Sequence, residues 1–222
     1  MEEIFNKTII DINNNVKTEL CNIMTKENSD KGNGWHNYTL LYTNLFENIR
    51  NEPINIFELG LGSINPNIPS NMGIYGIPGA SLFGWEKYFT NENSKCYGAD
   101  IDKDIIINRG KIKTFYCDQT NASVIREMWE NDVLKNMNFD IILDDGLHEH
   151  NANITFFENS FHKLKPGGIY IIEDIVKNHV NMFNDTIKNK LSKRDDISYI
   201  NLFDMPNIRN NHDNVILVIQ KK

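Results

Sequence analysis

Phe139-Asp140-Ile141-Ile142-Leu143-Asp144-Asp145-Gly146-Leu147-His148 is an apolar run that stops on two carboxylates, followed by a glycine and an imidazole. Its length and composition are those of a strand buried on both faces, the kind found in parallel sheets covered by helices. A second run of this type, Gly168–Ile172, follows a helix-length later and also ends in acid, at Glu173-Asp174. Open α/β sheets bind ligands beyond the carboxyl ends of their strands, so the two acidic clusters are expected to face one cleft. Carboxylates converging with an imidazole suit a divalent cation and a base.

Outward from this core the chain alternates short apolar runs with helical patterns. Ile54–Leu59, Lys95–Asp100 and Lys113–Tyr116 read as strands, and Trp85–Phe89, Ser123–Trp129, Asn153–Leu164 and Met182–Leu191 carry helical spacing. That alternation predicts a parallel sheet with helices on it. Lys165-Pro166-Gly167-Gly168 reads as a helix stop and turn, with no function needed to explain it. Ile197–Phe203 and Val215–Gln220, joined by a polar loop carrying Pro206, Asn210 and Asn211, lack an intervening helix and predict an antiparallel edge pair. Residues 1–50 read as helical, from Ile9, Ile12, Val16, Leu20 and Ile23 and again from Leu40, Leu41, Leu45, Phe46 and Ile49, with a polar break at Glu27–Gly34.

The 222 residues are enough for one full-sized core, and 40% hydrophobic with 24% charged residues is ordinary for a globular chain. A formal charge of -7 argues against non-specific binding to nucleic acid or an anionic membrane, leaving a small molecule as the expected partner. Cys21, Cys96 and Cys117 are odd in number and widely spaced, so they read as free thiols in a reducing compartment. With an acidic Met1-Glu2-Glu3 opening and no apolar run near the roughly 18 residues of a membrane span, the expected location is the cytoplasm.

Phe57-Glu58-Leu59-Gly60-Leu61-Gly62-Ser63 runs a strand into glycines, which let backbone approach a ligand and expose its N–H groups. Alone, such a pair is as well explained by a tight turn. One strand later Asp100 ends Tyr97-Gly98-Ala99-Asp100, where an acid can accept both ribose hydroxyls, and a third strand ends in Cys117-Asp118-Gln119, polar groups suited to an adenine edge. The loop Ser63–Ser81, rich in Gly, Pro and Asn, is of a length that is more often functional than idle. Glu58 inside a buried strand is expected to make a polar contact, and Ser81 at a helix start reads equally as an N-cap. Trp85, Tyr88 and Phe89 are expected in the core. Trp35, His36 and Tyr38 follow a glycine-rich loop, where closing over a ligand and simple packing are equal alternatives; His36 and Tyr38 are the candidate substrate contacts. For Asp144 and Asp145 the bland alternative is a solvated turn, and His148 with Glu173-Asp174 tips the reading toward a site.

The order of glycine loop, Asp100, Asp118 and Asp144-Asp145 resembles the class I S-adenosylmethionine-dependent methyltransferases over roughly residues 50–222. Ser29-Asp30-Lys31-Gly32 with His36 and Tyr38, then Gly79-Ala80-Ser81-Leu82-Phe83-Gly84-Trp85-Glu86-Lys87-Tyr88-Phe89, then Asp144–His148, is more specifically similar to the mycinamicin-type macrolide sugar O-methyltransferases. The match departs in a longer loop Ser63–Pro78, in Leu147 where serine is usual and in a short N-terminal part. The resemblance implies a Rossmann-like α/β fold with a seven-stranded, mostly parallel sheet, an antiparallel edge strand and helices on both faces. Residues 1–50 would be a helical extension that covers cofactor or acceptor, and 51–222 the methyltransferase domain. It implies S-adenosylmethionine held by Glu58, Gly60, Gly62, Ser81, Asp100, Asp118, Gln119 and Asp144, Mg²⁺ on Asp145, Glu173 and Asp174, and His148 as base.

The chemistry agrees with that assignment. An alcohol becomes a good nucleophile toward a sulfonium methyl once it loses its proton, and a cation with a neutral-pH base provides for that. The expected acceptor is a sugar hydroxyl, nucleotide-linked or on a surface polysaccharide. A phosphate, phosphoramidate or amine acceptor, or a non-catalytic cofactor-binding scaffold, are the alternatives. An iron oxygenase is disfavoured by the lack of a two-histidine, one-carboxylate set. The N-terminal helices offer a face for a homodimer.

Overall fold

The computed structural model describes residues 8–9, 17–32, 34–205 and 209–222. Among the described residues nine strands form one sheet: β1 (Thr8–Ile9), β2 (Asn55–Leu59), β3 (Lys95–Asp100), β4 (Asn108–Arg109), β5 (Ile112–Tyr116), β6 (Phe139–Asp144), β7 (Leu164–Ile175), β8 (Ile197–Asp204) and β9 (Val215–Lys221). Their spatial order is β1-β8-β9-β7-β6-β2-β3-β5-β4. Seven of them are the expected set, and the two-residue strands β1 and β4 extend the sheet at either side. Among the seven, the reversed strand is not at an edge: β9 runs antiparallel to both β7 and β8 and lies between them, and it is the two-residue β4, antiparallel to β5, that closes one edge.

Six α-helices among the described residues cover the sheet: α1 (Glu19–Lys26), α2 (Thr39–Phe46), α3 (Ala80–Tyr88), α4 (Ala122–Trp129), α5 (His150–Ser160) and α6 (Val180–Asn189). Local chemistry starts them where expected. Thr18 caps α1 by accepting from Cys21 N–H, and Asn121 caps α4 by accepting from Ser123 and Val124 N–H. Alternation along the strands sorts the apolar side chains between two faces. Phe57, Ile142, Tyr170 and Leu217 pack with α4, α5 and α6, whereas Ile56, Ile141, Ile171 and Ile216 pack with α1, α2 and α3.

The helical N-terminal reading is only partly met. Thr8–Ile9 is a strand beside β8, Ile12 and Val16 lie outside the described residues, and Leu20 and Ile23 belong to α1. Helices α1 and α2 bury Leu20, Met24, Tyr42 and Phe46 in the same core as Trp85. Among the described residues, the chain between α1 and α2, with Tyr42 of α2, reaches the strand ends. Pro206 of the late polar loop also lies outside the described residues.

Two irregularities of β7 were not foreseen. Phe139↔Leu164 is followed by Ile141↔Ile169, so Lys165-Pro166-Gly167-Gly168 is a bulge carried within the strand, with Gly167 at φ 77°, and not a turn that precedes it. At the far end Ile172↔Leu217 is followed by Ile175↔Val215, which places one extra residue at Glu173-Asp174. Asp174 there has φ 52°.

Register aligns the strand ends. Leu59 pairs with Ala99 on one side and Asp144 on the other, and Asp144 pairs with Ile172. Gly60, Asp100, Asp145 and Glu173 are therefore the residues that leave the sheet together. Chain order reverses between β2 and β6, so the cleft lies at the topological switch point.

Candidate active site

A cavity of about 470 Å³ opens at this edge, within the range of small-molecule sites. It is lined by Gly60, Gly62 and Asp100 from the ends of β2 and β3, by Asp118, Gln119, Asp145 and His148, and by Ser70, Met72, Trp35 and His36. The long loop after β2 folds back over it: Met72 N–H donates to Ser63 O at 2.8 Å and Ser70 Oγ to Leu147 O at 3.0 Å.

Glycine is required at Gly60 for a reason other than ligand approach. It has φ 91°, and a Cβ there would stand 1.8 Å from Asp145 O. The close passage of the two strand ends, with Asp145 N–H donating to Leu59 O at 2.9 Å, fixes Asp145 at the cavity. Gly62, at φ 78°, makes room for Met72 Sδ. Asp100 lines the cavity, and each carboxylate oxygen accepts one backbone N–H, from Leu61 at 2.7 Å and Asp102 at 2.8 Å. A carboxylate has about four lone-pair sites, so acceptor capacity remains for a ribose. Asp118 also lines the cavity and braces its loop through Thr120.

Of the residues expected at the cofactor, Asp144 and Glu58 are held away from the cavity, and Gln119 and Ser81 line it with their polar groups committed. Asp144 is fully buried on the α4–α6 face, bonded to Gln119 Nε2 at 2.6 and 2.8 Å and to Asn153 at 3.1 Å, because alternation turns it away from Asp145. It lies behind the cavity wall. Gln119 lines the cavity with its amide engaged at both ends, since Oε1 also accepts from Leu147 N–H at 2.7 Å. Glu58 is buried on the α1–α3 face, where it accepts from Ser81 Oγ at 2.7 Å and Trp85 Nε1 at 2.9 Å. Ser81 does line the cavity, yet the N-cap position of α3 belongs to Gly79 and the Ser81 hydroxyl is committed to Glu58.

The acidic centre divides into two groups. Asp145, His148 and Asp174 each offer an atom within 4.8 Å of the others. His148 Nε2 stands 3.3 Å from Asp145 Oδ1 and 3.6 Å from Asp174 Oδ2. Both His148, at φ 61°, and Asp174 adopt left-handed backbone that costs a non-glycine residue about 1–3 kcal/mol and recurs at functional sites. Strict alternation would have aimed Asp174 at the opposite face from Glu173; the bulge re-aims it. Burial opposes charge on His148, but Asp174 and Asp145 outweigh it and push the imidazole up to about 10.

Glu173 belongs to the second group and does not join the ligand cluster. It is fully buried, accepts from Tyr42 Oη and meets the Lys31 ammonium at 2.5 Å. Lys31 also donates to Asp145 Oδ2 and stands 3.3 Å from Glu58. Burial disfavours its charge, yet Asp145, Glu173 and Glu58 raise it well above the usual lysine range, so it stays cationic. Sequence reading gave Lys31 no role. The available signal was that Glu58, Asp145 and Glu173 fall on one face by alternation, and such a buried trio requires a cation.

Tyr38 is no substrate contact in this arrangement. It is fully buried and donates to Asp174 Oδ1 at 2.5 Å and Asp213 O at 3.1 Å. His36 stacks on it with ring centroids 4.7 Å apart, and its Nδ1 lies 2.7 Å from Asn214 Oδ1 and 3.4 Å from Asp174. Both hold Asp174. Trp35, 51% exposed at the cavity wall, is the aromatic residue of this segment that a ligand can reach. The three cysteines are free and buried, and no helix among the described residues is long and apolar enough to cross a membrane.

No family model matches the chain. Over 158 residues, 71% of its length, it is 30% identical to the 8-demethyl-8-(2-methoxy-alpha-L-rhamnosyl)-tetracenomycin-C 3'-O-methyltransferase of Streptomyces olivaceus. Over 163 residues, 72% of its length, it is 29% identical to the mycinamicin VI 2''-O-methyltransferase of Micromonospora griseorubida. The chain spans 37% and 36% of the length of those two relatives. In structure it is similar to the MycE methyltransferase of the mycinamycin biosynthetic pathway, solved in complex with Mg and SAH. The TM-score is 0.67 at 22% identity, covering 93% of this chain and 55% of that one.

Proposed function

Because this chain has the Rossmann-like fold of the class I methyltransferases and resembles sugar O-methyltransferases in sequence, we propose that it methylates a sugar hydroxyl with S-adenosylmethionine. The observation that carries the reading is the meeting of Asp145, His148 and Asp174 beside a cavity lined by the Gly60 loop and Asp100. The two carboxylates so close together fit a divalent cation, with the His148 imidazole beside them as base, and the solved relative's Mg supports that choice. Glu173 would join them as the third acidic ligand once released from Lys31. A bound cation supplies charge neutralisation for the carboxylates and stabilises a developing alkoxide.

The chain's own groups do the rest. With Asp145 and Asp174 neutralised, His148 faces less negative charge and can give up its proton near neutral pH. It then takes the proton of the acceptor hydroxyl at Nε2 as the oxygen attacks the sulfonium methyl. The new C–O bond forms as the C–S bond breaks, its electron pair returns to sulfur, and S-adenosylhomocysteine leaves. Asp100 and Asp118, both lining the cavity, orient the donor. Tyr38 and His36 keep Asp174 in position, and Ser29, Asp30, Lys31, Trp35 and His36 cover the site, a narrower segment than the whole of 1–50.

Charge favours a neutral acceptor over a nucleotide-linked one. Asp30, Asp100, Asp118, Asp145, Asp174 and Asp213 line the cavity, and Lys31, the one lysine or arginine among the described lining residues, is already engaged. A diphosphate would enter against that field. Glycosides, not sugar nucleotides, are also what the names of the relatives describe, a rhamnosyl group on tetracenomycin-C among them.

The test is transfer of isotopically labelled methyl from S-adenosylmethionine to neutral glycosides and to sugar nucleotides, with and without Mg²⁺. Transfer to a glycoside is expected, with kcat lowered about 10²–10⁴-fold in His148→Ala while donor binding is unchanged. Failure of the wild type to bind S-adenosylmethionine by calorimetry would sink the assignment.

A further inference from the structure

The ammonium of Lys31 stands where the acidic centre most needs positive charge. It touches Asp145 Oδ2, lies 2.5 Å from Glu173 Oε2 and 3.3 Å from Glu58 Oε1, with the residue only 1% exposed. Asp145 is thereby shared: one oxygen faces Lys31 and the other faces His148 at 3.3 Å. Glu173 is turned toward Lys31 and Tyr42 and away from the Asp145–His148–Asp174 group. Mg²⁺ requires oxygen ligands at about 2.0–2.1 Å, a shell that Asp145 and Glu173 cannot complete while both hold an ammonium at hydrogen-bond distance.

We propose that the Lys31 ammonium is a resident cation that a divalent ion must displace from Asp145 and Glu173, so that this lysine sets how tightly the site binds metal. The inference rests on the metal reading above. Two features distinguish Lys31 from a purely structural ion-pair partner. It lines the cavity, so displacement does not require opening the core. It also has a third carboxylate to retreat to, because Glu58 is anchored independently by Ser81 and Trp85. A flexible four-carbon stem with a compact charge can make that short move, which a planar guanidinium could not.

The test is titration of Mn²⁺ and Mg²⁺ by calorimetry, with Mn²⁺ electron paramagnetic resonance, on wild type, Lys31→Met and the double variant Lys31→Met/Glu58→Gln. The double variant removes one charge of each sign, guarding against a fold lost to unpaired buried carboxylates. At least tenfold tighter Mn²⁺ binding than wild type is expected, with a larger Tm gain from Mg²⁺. On the wild type, the Lys31 side-chain NMR signal should shift as Mg²⁺ binds, a measurement independent of the variants. Equal or weaker binding in the variants, or an unmoved Lys31 signal in a protein that does bind metal, overturns the role of Lys31 and leaves the metal reading standing. Absence of metal binding in every form overturns both.

Discussion

Asp144 accepts two hydrogen bonds from Gln119 and one from Asn153, yet burial still pushes its carboxyl up to about 7. The folded state therefore holds a proton more tightly than the unfolded chain, where the carboxyl titrates near about 3.9. The stability this gives at low pH is lost as pH rises from about 4 to about 7. Asp144→Asn cannot titrate and should lose less stability than wild type over that interval, read from urea unfolding at a series of pH values; parallel curves would refute the shift. At this scale the sequence was informative about Asp145, His148 and Asp174, because each follows a recognisable strand end. It was silent about Lys31, whose partners Asp145 and Glu173 lie 114 and 142 residues away along the chain. A lysine in a polar break carries no mark of the carboxylates it will meet.

Among elements, the strands and helices were legible from periodicity, since β3 begins and ends where the apolar run does and α4 extends the expected run by one residue. The bulges in β7 were not, because a bulge is a mismatch between two strands and exists only once they pair. Lys165-Pro166-Gly167-Gly168 has the chemistry of a turn, and Leu164 opposite Phe139 holds it inside the sheet. The second bulge turns Asp174 toward Tyr38 and His148. Gly60 shows the same dependence on a neighbour. With φ 91° and Asp145 O in the path of any Cβ, Gly60→Ala should cost on the order of 3 kcal/mol and lower Tm by about 6–12 °C. A Tm within about 2 °C of wild type would show that the two strand ends can part cheaply.

Across the whole molecule, a formal charge of -7 and a cavity lined by six aspartates without an uncommitted lysine or arginine among the described lining residues set up a field that repels anions. Binding of a neutral glycoside should therefore change little between about 0.01 and 0.15 M salt, whereas a sugar nucleotide should bind weakly and gain affinity as salt screens the field. Titration calorimetry at the two ionic strengths distinguishes them; a nucleotide sugar that binds tightest at low salt would contradict the neutral acceptor. The sequence by itself determined the alternation of elements, the position of the cleft at the strand ends and the acidic residues that enter it, because these follow from local periodicity and chain order. Only the tertiary structure decided which carboxylates share a ligand cluster, that Glu58 and Asp144 brace the site from behind, and that Lys31 supplies the buried charge. Those depend on which face of the sheet each side chain takes and on what packs against it from a distant part of the chain.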